Sequence, residues 1–191
     1  MANNFLNTDL FDKALIFATK AHANTERRGK AYPYIIHPME AVAIVATITN
    51  DPELLAATVL HDVVEDTDFT EADIRKEFGD RVADLVALES DIVVENMGES
   101  ESWKARKQFA IERLSKVSRD AKIVAIGDKL SNLRAIQRDY EAQGEKVWEL
   151  FHAPEPGLHE WRYRALLQAF SGLEDTAPYK EFAELIKKIW G

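Results

Sequence analysis

Cysteine is absent from the 191 residues. That gap excludes disulfides, thiolate nucleophiles, cysteine-ligated zinc and iron–sulfur clusters. Any metal must be held by His, Asp, Glu or Asn, which suits hard or borderline ions. No apolar run approaches the roughly 20 residues that a membrane-crossing helix needs. The first residues, Met1 to Asp9, lack the basic-then-apolar pattern of a signal peptide. No membrane partner and a cytoplasmic location are therefore expected. Basic residues are the minority, 24 Lys and Arg against 33 Asp and Glu, for a formal net charge of −9. A surface this acidic repels polyanions, so nucleic acid is not expected as a partner either.

What is present is helical. Apolar residues make up 46% of the chain and charged residues 30%, the balance of one globular domain with room for a small appendage. Phe11, Ala14, Leu15, Ala18 and Ala21 repeat at helical spacing after a capping candidate at Thr8 or Asp9. A basic loop with Pro and Gly follows from Thr25 to Tyr34, and His37-Pro38 opens the next helix, with Pro38 in its first turn. The segment from Glu53 to Asp66 reads as one helix, apolar all round until its last turn. Short helices are expected from Thr70 to Gly79 and from Asp80 to about Ser90. An acidic loop over 91–101 and a charged helix from Ser102 to Val117 come next. A second long helix, from Asp120 to Gln143, is apolar on all sides at Ile123-Val124-Ala125-Ile126 and is stopped by Gly144. Two more helices close the chain, and no strand or internal repeat is evident. The expected fold is all-α, with a core over 1–143 and a helical extension over 144–191 packed on it. The extension's Trp148, Phe151, His159, Trp161 and Tyr163 read as packing residues.

Chemistry concentrates where the apolar helices end in acids. His61, Asp62, Glu65 and Asp66 close one such helix, and Asp128 and Asn132 sit four apart on the other. Burying several carboxylates without partners is very costly, and a divalent cation removes both the cost and their repulsion. With His37 as a second imidazole, the donor set suits Mn²⁺, Fe²⁺ or Zn²⁺. Such an ion lowers the pKa of a water towards neutrality. The pair Glu65-Asp66 is then placed to orient that water or move its proton.

These residues also carry a family resemblance. His61-Asp62-Val63-Val64-Glu65-Asp66-Thr67 resembles the His-Asp-x-x-Glu-Asp signature of the alarmone-hydrolase branch of HD-domain phosphohydrolases. Pro33-Tyr34-Ile35-Ile36-His37-Pro38 and Asp128-Lys129-Leu130-Ser131-Asn132-Leu133-Arg134 match that branch in the same order. The chain is similar to a stand-alone hydrolase half of Rel/SpoT proteins. The resemblance implies an HD-domain helical bundle. It also implies a metal, usually Mn²⁺ with other divalent ions possible, held by His37, His61, Asp62 and Asp128. Glu65 and Asp66 become the catalytic acids, while Arg28, Lys30 and Asn132 become substrate-binding residues. The implied reaction takes a small-molecule nucleotide, (p)ppGpp, and removes pyrophosphate from its 3′ position to leave GDP or GTP. Two readings stay open beside it: the same chemistry on another nucleotide or phosphoester, and a regulatory module that binds alarmone without turnover. The chain departs from the branch pattern at Arg28-Gly29-Lys30, where relatives often have Arg-Lys together, and at Ala87-Leu88-Glu89-Ser90-Asp91. The oligomeric state is not legible in the sequence.

Overall fold

The computed structural model describes residues 7–27, 29–88, 99–151 and 153–191, with 99–102 described as helical backbone. Arg28 and the 89–98 stretch, to which most of the expected acidic loop belongs, lie outside the described residues. Among the described residues the chain is all-α. The only β-type pairing there is a single antiparallel bridge between Glu26 and Pro33.

Side chains of Asp51, Thr70, Ser118 and Thr176 cap helix starts, while Thr8, at the N-cap of the first helix, makes no cap hydrogen bond. Helix α1 (Asp9–Ala21) follows Thr8 and buries Ala14 and Ala18. Helix α2 (Ile36–Val45) carries His37 and Pro38 in its first turn. Helix α3 (Pro52–Leu60) is capped by Asp51, whose side chain accepts from the Glu53 amide. Helix α4 (Val63–Asp66) is a single turn. Thr70 and Asp73 close a capping box on α5 (Glu71–Phe78). Gly79, at φ 89, turns the chain into α6 (Asp80–Ala87). The long helices α7 (Glu99–Lys116) and α8 (Arg119–Gln143) follow, the second capped by Ser118. A 3-10 helix (Gly144–Leu150), α9 (Pro156–Ala169) and α10 (Ala177–Trp190) complete the fold.

Two expectations are corrected. The helix expected over Glu53–Asp66 is broken at His61-Asp62 into α3 and α4. The reason is local: His61 Nδ1 engages the Thr58 carbonyl at 2.7 Å, the acceptor that a continuous helix would offer to the Asp62 amide. Residues 99–101, expected in the acidic loop, already belong to α7.

Helix α8 is the axis of the core. Residues Ala121 to Asp128 are buried without interruption, and α2, α3 and α10 pack around the helix. Gly127 makes the closest approach possible. A Cβ there would stand 2.7 Å from Val45 Cγ2 and 2.9 Å from the Ala41 carbonyl oxygen, so only Gly lets α2 and α8 touch at that level. Phe170, Leu173, Phe182 and Ile186 from the C-terminal elements join the same hydrophobic cluster as Leu54, Val59 and Ile126.

Candidate metal centre and phosphate pocket

Three pieces of backbone deliver the polar groups. His37 comes from the first turn of α2, His61 and Asp62 from the break between α3 and α4, and Asp128 from the middle of α8. Their side chains converge. His37 Nε2 and His61 Nε2 are 3.3 Å apart. Asp128 Oδ1 is 3.1 Å from the first and 3.5 Å from the second. Asp62 Oδ2 lies 3.0 Å from His61 Nε2 and 3.5 Å from His37 Nε2. His37, His61 and Asp128 are 4%, 2% and 5% exposed, so water does little to screen this cluster.

The far sides of the imidazoles show what the near sides do. His61 Nδ1 donates to the Thr58 carbonyl, which can only accept. Ser131 Oγ donates its one proton to Glu40 Oε2 at 2.9 Å, so it accepts from His37 Nδ1 at 2.8 Å. Both rings are therefore held with the proton on Nδ1 and the lone pair of Nε2 turned inward. Two lone pairs and two carboxylates then face one another, and none of these four groups offers a proton to the others. That donor set fits a divalent cation, and the outer hydrogen bonds are those that orient histidine ligands. His37, His61 and Asp128 offer ligand atoms within 4.8 Å of one another, and Asp62 borders them.

The charges of the cluster act on one another. Burial alone would lower the His61 pKa, but Asp62 and Asp128 outweigh it and raise it well above 6.5. Burial prevails at His37, whose pKa is lowered despite Asp128. Burial would raise both carboxylates, yet the His61 imidazole pulls Asp62 far below the usual range, and Lys129 with the two imidazoles does the same to Asp128. Without a cation, the same field draws a proton to His61.

Cations ring the cluster. A polar pocket of ≈ 140 Å³ has His37, Asp62 and Asp128 in its wall together with Arg27, Lys107, Lys129 and Arg162. Arg27, Asn132 and Arg162 are shared with a larger cleft of ≈ 550 Å³, whose apolar wall includes Trp103, Ile136, Phe151 and Tyr163. The Glu26–Pro33 bridge, closed by Arg27 N to Tyr32 O at 3.1 Å and Tyr34 N to Thr25 O at 2.8 Å, presents Arg27 to the pocket. Arg27 donates to Asn132 Oδ1 and lies 5.3 Å from the centre of the Tyr34 ring. The Tyr34 hydroxyl donates to Asp62 Oδ2 at 2.6 Å. Burial and the neighbouring Asp62 keep that phenol protonated far into the alkaline range.

The structure places the residues singled out in the sequence unequally. Asn132 stands beside the cluster and donates to Asp128 Oδ1. Glu65 is exposed and belongs to the wall of the polar pocket. Asp66 is exposed and does not line the polar pocket. Lys30 pairs with Asp139 on the wall of the larger cleft, about one helical turn further along α8 than Ala135. Arg28 lies outside the described residues. Sequence reading did not single out Arg27, Tyr34, Lys107, Lys129 or Arg162 as site residues. Lys129 and Tyr34 lie inside the quoted motifs, so a signal was available there. Arg162 belongs to α9 and reaches the site only through tertiary packing.

Comparison with known proteins identifies the fold. The family model described as HD domain matches residues 14–157. The chain belongs to the HD-domain family. Among curated proteins similar to the chain, MESH1 of Drosophila melanogaster, named guanosine-3′,5′-bis(diphosphate) 3′-pyrophosphohydrolase, is 37% identical over 131 residues, 66% of this chain and 69% of its own. The Haemophilus influenzae protein of the same enzyme name is 32% identical over 127 residues, 63% of this chain but 18% of its own length. The chain thus spans less than a fifth of that long relative. Among solved structures, a metazoan orthologue of SpoT that hydrolyses ppGpp superposes with a TM-score of 0.74 at 26% identity, covering 94% of each chain. A protein from Listeria monocytogenes superposes at 0.69 with 32% identity, covering 81% of this chain and 98% of its own.

Proposed function

We propose that this HD-domain chain is a divalent-metal-dependent hydrolase that removes pyrophosphate from the 3′ position of (p)ppGpp, leaving GDP or GTP. The observation that carries the reading is the convergence of two inward-turned imidazoles and two carboxylates inside a ring of Arg and Lys. The enzyme names of MESH1 and the H. influenzae relative support the choice of substrate. We take residues 1–143 as the catalytic core and 144–191 as its extension, and a cytoplasmic setting as the place of action.

His37, His61, Asp62 and Asp128 would hold the ion, with Mn²⁺ as the expected occupant. When bound, such an ion supplies Lewis acidity towards a phosphoryl oxygen and a water of lowered pKa. The chain's own residues do the rest. Arg27, Lys107, Lys129 and Arg162 offset the charge of the 3′-diphosphate, which a −9 protein cannot attract by its net field. Placed in the pocket wall, they stabilise charge developing on the phosphoryl oxygens. Glu65, on the pocket wall, accepts the proton of the attacking water, with Asp66 beside it as the second catalytic acid, and Tyr34 donates to Asp62. Lys30 and Asn132 face the nucleoside side, with Arg28 on the same loop, and the apolar wall of the larger cleft takes the base.

The test is product analysis. Metal-loaded protein incubated with ppGpp is expected to release GDP and pyrophosphate. Binding of ppGpp without any product would favour the regulatory module. Cleavage of other phosphorylated metabolites, with ppGpp untouched, would overturn the substrate assignment.

A further inference from the structure

Behind His37 stands a bracket that reaches the last helix of the chain. His37 Nδ1 donates to Ser131 Oγ at 2.8 Å, and Ser131 Oγ donates to Glu40 Oε2 at 2.9 Å. The other oxygen of Glu40 faces two guanidinium groups, Arg134 Nη1 at 3.4 Å and Arg138 Nη1 at 3.7 Å. Arg134 is gripped in turn by Glu181 of α10 through a two-bond fork, Nε to Oε1 at 2.6 Å and Nη2 to Oε2 at 2.7 Å. The chain of contacts therefore runs α10, α8, α2, α8 and back to α2.

Its chemistry is directional. A serine hydroxyl has one proton and can point either way. If it pointed at His37 Nδ1, the ring proton would sit on Nε2, and that nitrogen could not ligate a metal. The Glu40 carboxylate, paired with two guanidinium groups, acts as an acceptor, so the Ser131 proton goes to Glu40 and His37 keeps its own on Nδ1. The two guanidinium groups face the Glu40 carboxylate and aim it. Nothing in the proposed reaction requires Glu40, which touches neither the polar pocket nor the acids around it.

We propose that Glu40 is a positioning residue for the metal ligand His37, acting through the Ser131 hydroxyl, with Arg134 and Glu181 tying the bracket to α10. The proposal rests on the metal centre described above and adds to it a residue three positions after the ligand His37 and a helix in the extension. Outer partners of histidine ligands change metal affinity by about 10- to 100-fold when removed.

The test is calorimetric titration of the full chain, stripped with a chelator, with Mn²⁺ alone. Wild type, Ser131→Ala, Glu40→Gln and the double variant are compared, and each stripped protein is melted to check its fold. Ser131→Ala is expected to weaken binding by about 10- to 100-fold and Glu40→Gln by about tenfold, the lower end of that range. In the Ser131→Ala background, Glu40→Gln is expected to cost nothing further, because the hydroxyl it acts through is gone. A purely structural role would lower the melting temperature of the stripped proteins and would not vanish in that background. Wild-type affinity in folded Glu40→Gln overturns the inference and leaves the metal centre standing. So does a second, undiminished loss in the double variant. Absence of Mn²⁺ binding by the wild type overturns the metal centre itself, and the bracket with it. If Ser131→Ala fails to fold, Glu40→Gln alone decides, since its side chain is 27% exposed and its replacement leaves no buried gap.

Discussion

Gly127→Ala probes the contact on which the metal centre depends. The added methyl would stand 2.7 Å from Val45 Cγ2 and 2.9 Å from the Ala41 carbonyl oxygen. An unstrained carbon pair sits at about 3.5 Å or more, so roughly 0.8 Å of movement is required. Val45 can turn its side chain, but the Ala41 oxygen is backbone and moves only if α2 moves. Overpacking of this kind costs about 1–3 kcal/mol, and a backbone obstacle places it near 3 kcal/mol. Replacing Gly by Ala inside a helix returns about 1 kcal/mol. The expected net loss is therefore about 2 kcal/mol. For a chain of this size it lowers the melting temperature by about 4–8 °C. The separation of α2 from α8 also parts His37 from Asp128, the residue after Gly127, so Mn²⁺ affinity falls as well. The control is Gly157→Ala in α9, where a Cβ meets nothing within 4 Å and a small gain of about 0.4–1 kcal/mol is expected. Thermal melts of both variants, with and without Mn²⁺, decide. A Gly127→Ala protein as stable as wild type, with unchanged Mn²⁺ affinity, would refute the close approach of the two helices.

Other perturbations have distinct readouts. Arg162→Gln removes one charge-assisted partner of the phosphate, worth about 1.5–3 kcal/mol. A drop of about tenfold or more in kcat/KM for ppGpp, with Mn²⁺ affinity unchanged, is expected. Glu65→Gln removes the proton acceptor and is expected to lower kcat by about a hundredfold or more; an unchanged kcat would move the role elsewhere. Burial lowers the pKa values of His22 and His159 below 6.5. Their contribution to stability is complete above pH 6.5 and is lost as pH falls, because the unfolded chain takes up protons that the folded one refuses. In Mn²⁺-saturated protein, His159→Gln is expected to flatten the fall in the urea midpoint between about pH 6.5 and 5; a slope identical to wild type would contradict the assignment.

Much of the fold was legible because it is written in local chemistry. The cap at Thr70 and the stops at Gly79 and Gly144 were readable, whereas the Ser118 cap, which starts α8 one residue earlier than expected, was not. The uninterrupted apolar stretch Ile123–Ile126 marked α8 as the core axis. The break at His61-Asp62 was not legible, because helical periodicity continues through it while a side chain takes the Thr58 carbonyl. The residue types of His37, His61, Asp62 and Asp128 marked them as ligands, but the structure brings them together from a helix start, a helix break and the middle of α8. Arg162 and Trp103 carry no such local mark. They join the site because α7 and α9 pack together over it. Arg27 illustrates a third limit: a loop of adjacent basic residues does not announce which of them turns inward.

The most direct test of the metal centre is anomalous diffraction from crystals of the full chain grown with Mn²⁺. One peak is expected, bounded by His37 Nε2, His61 Nε2 and the carboxylates of Asp62 and Asp128. A peak outside that cluster, or none in crystals whose solution binds Mn²⁺ stoichiometrically, would contradict it.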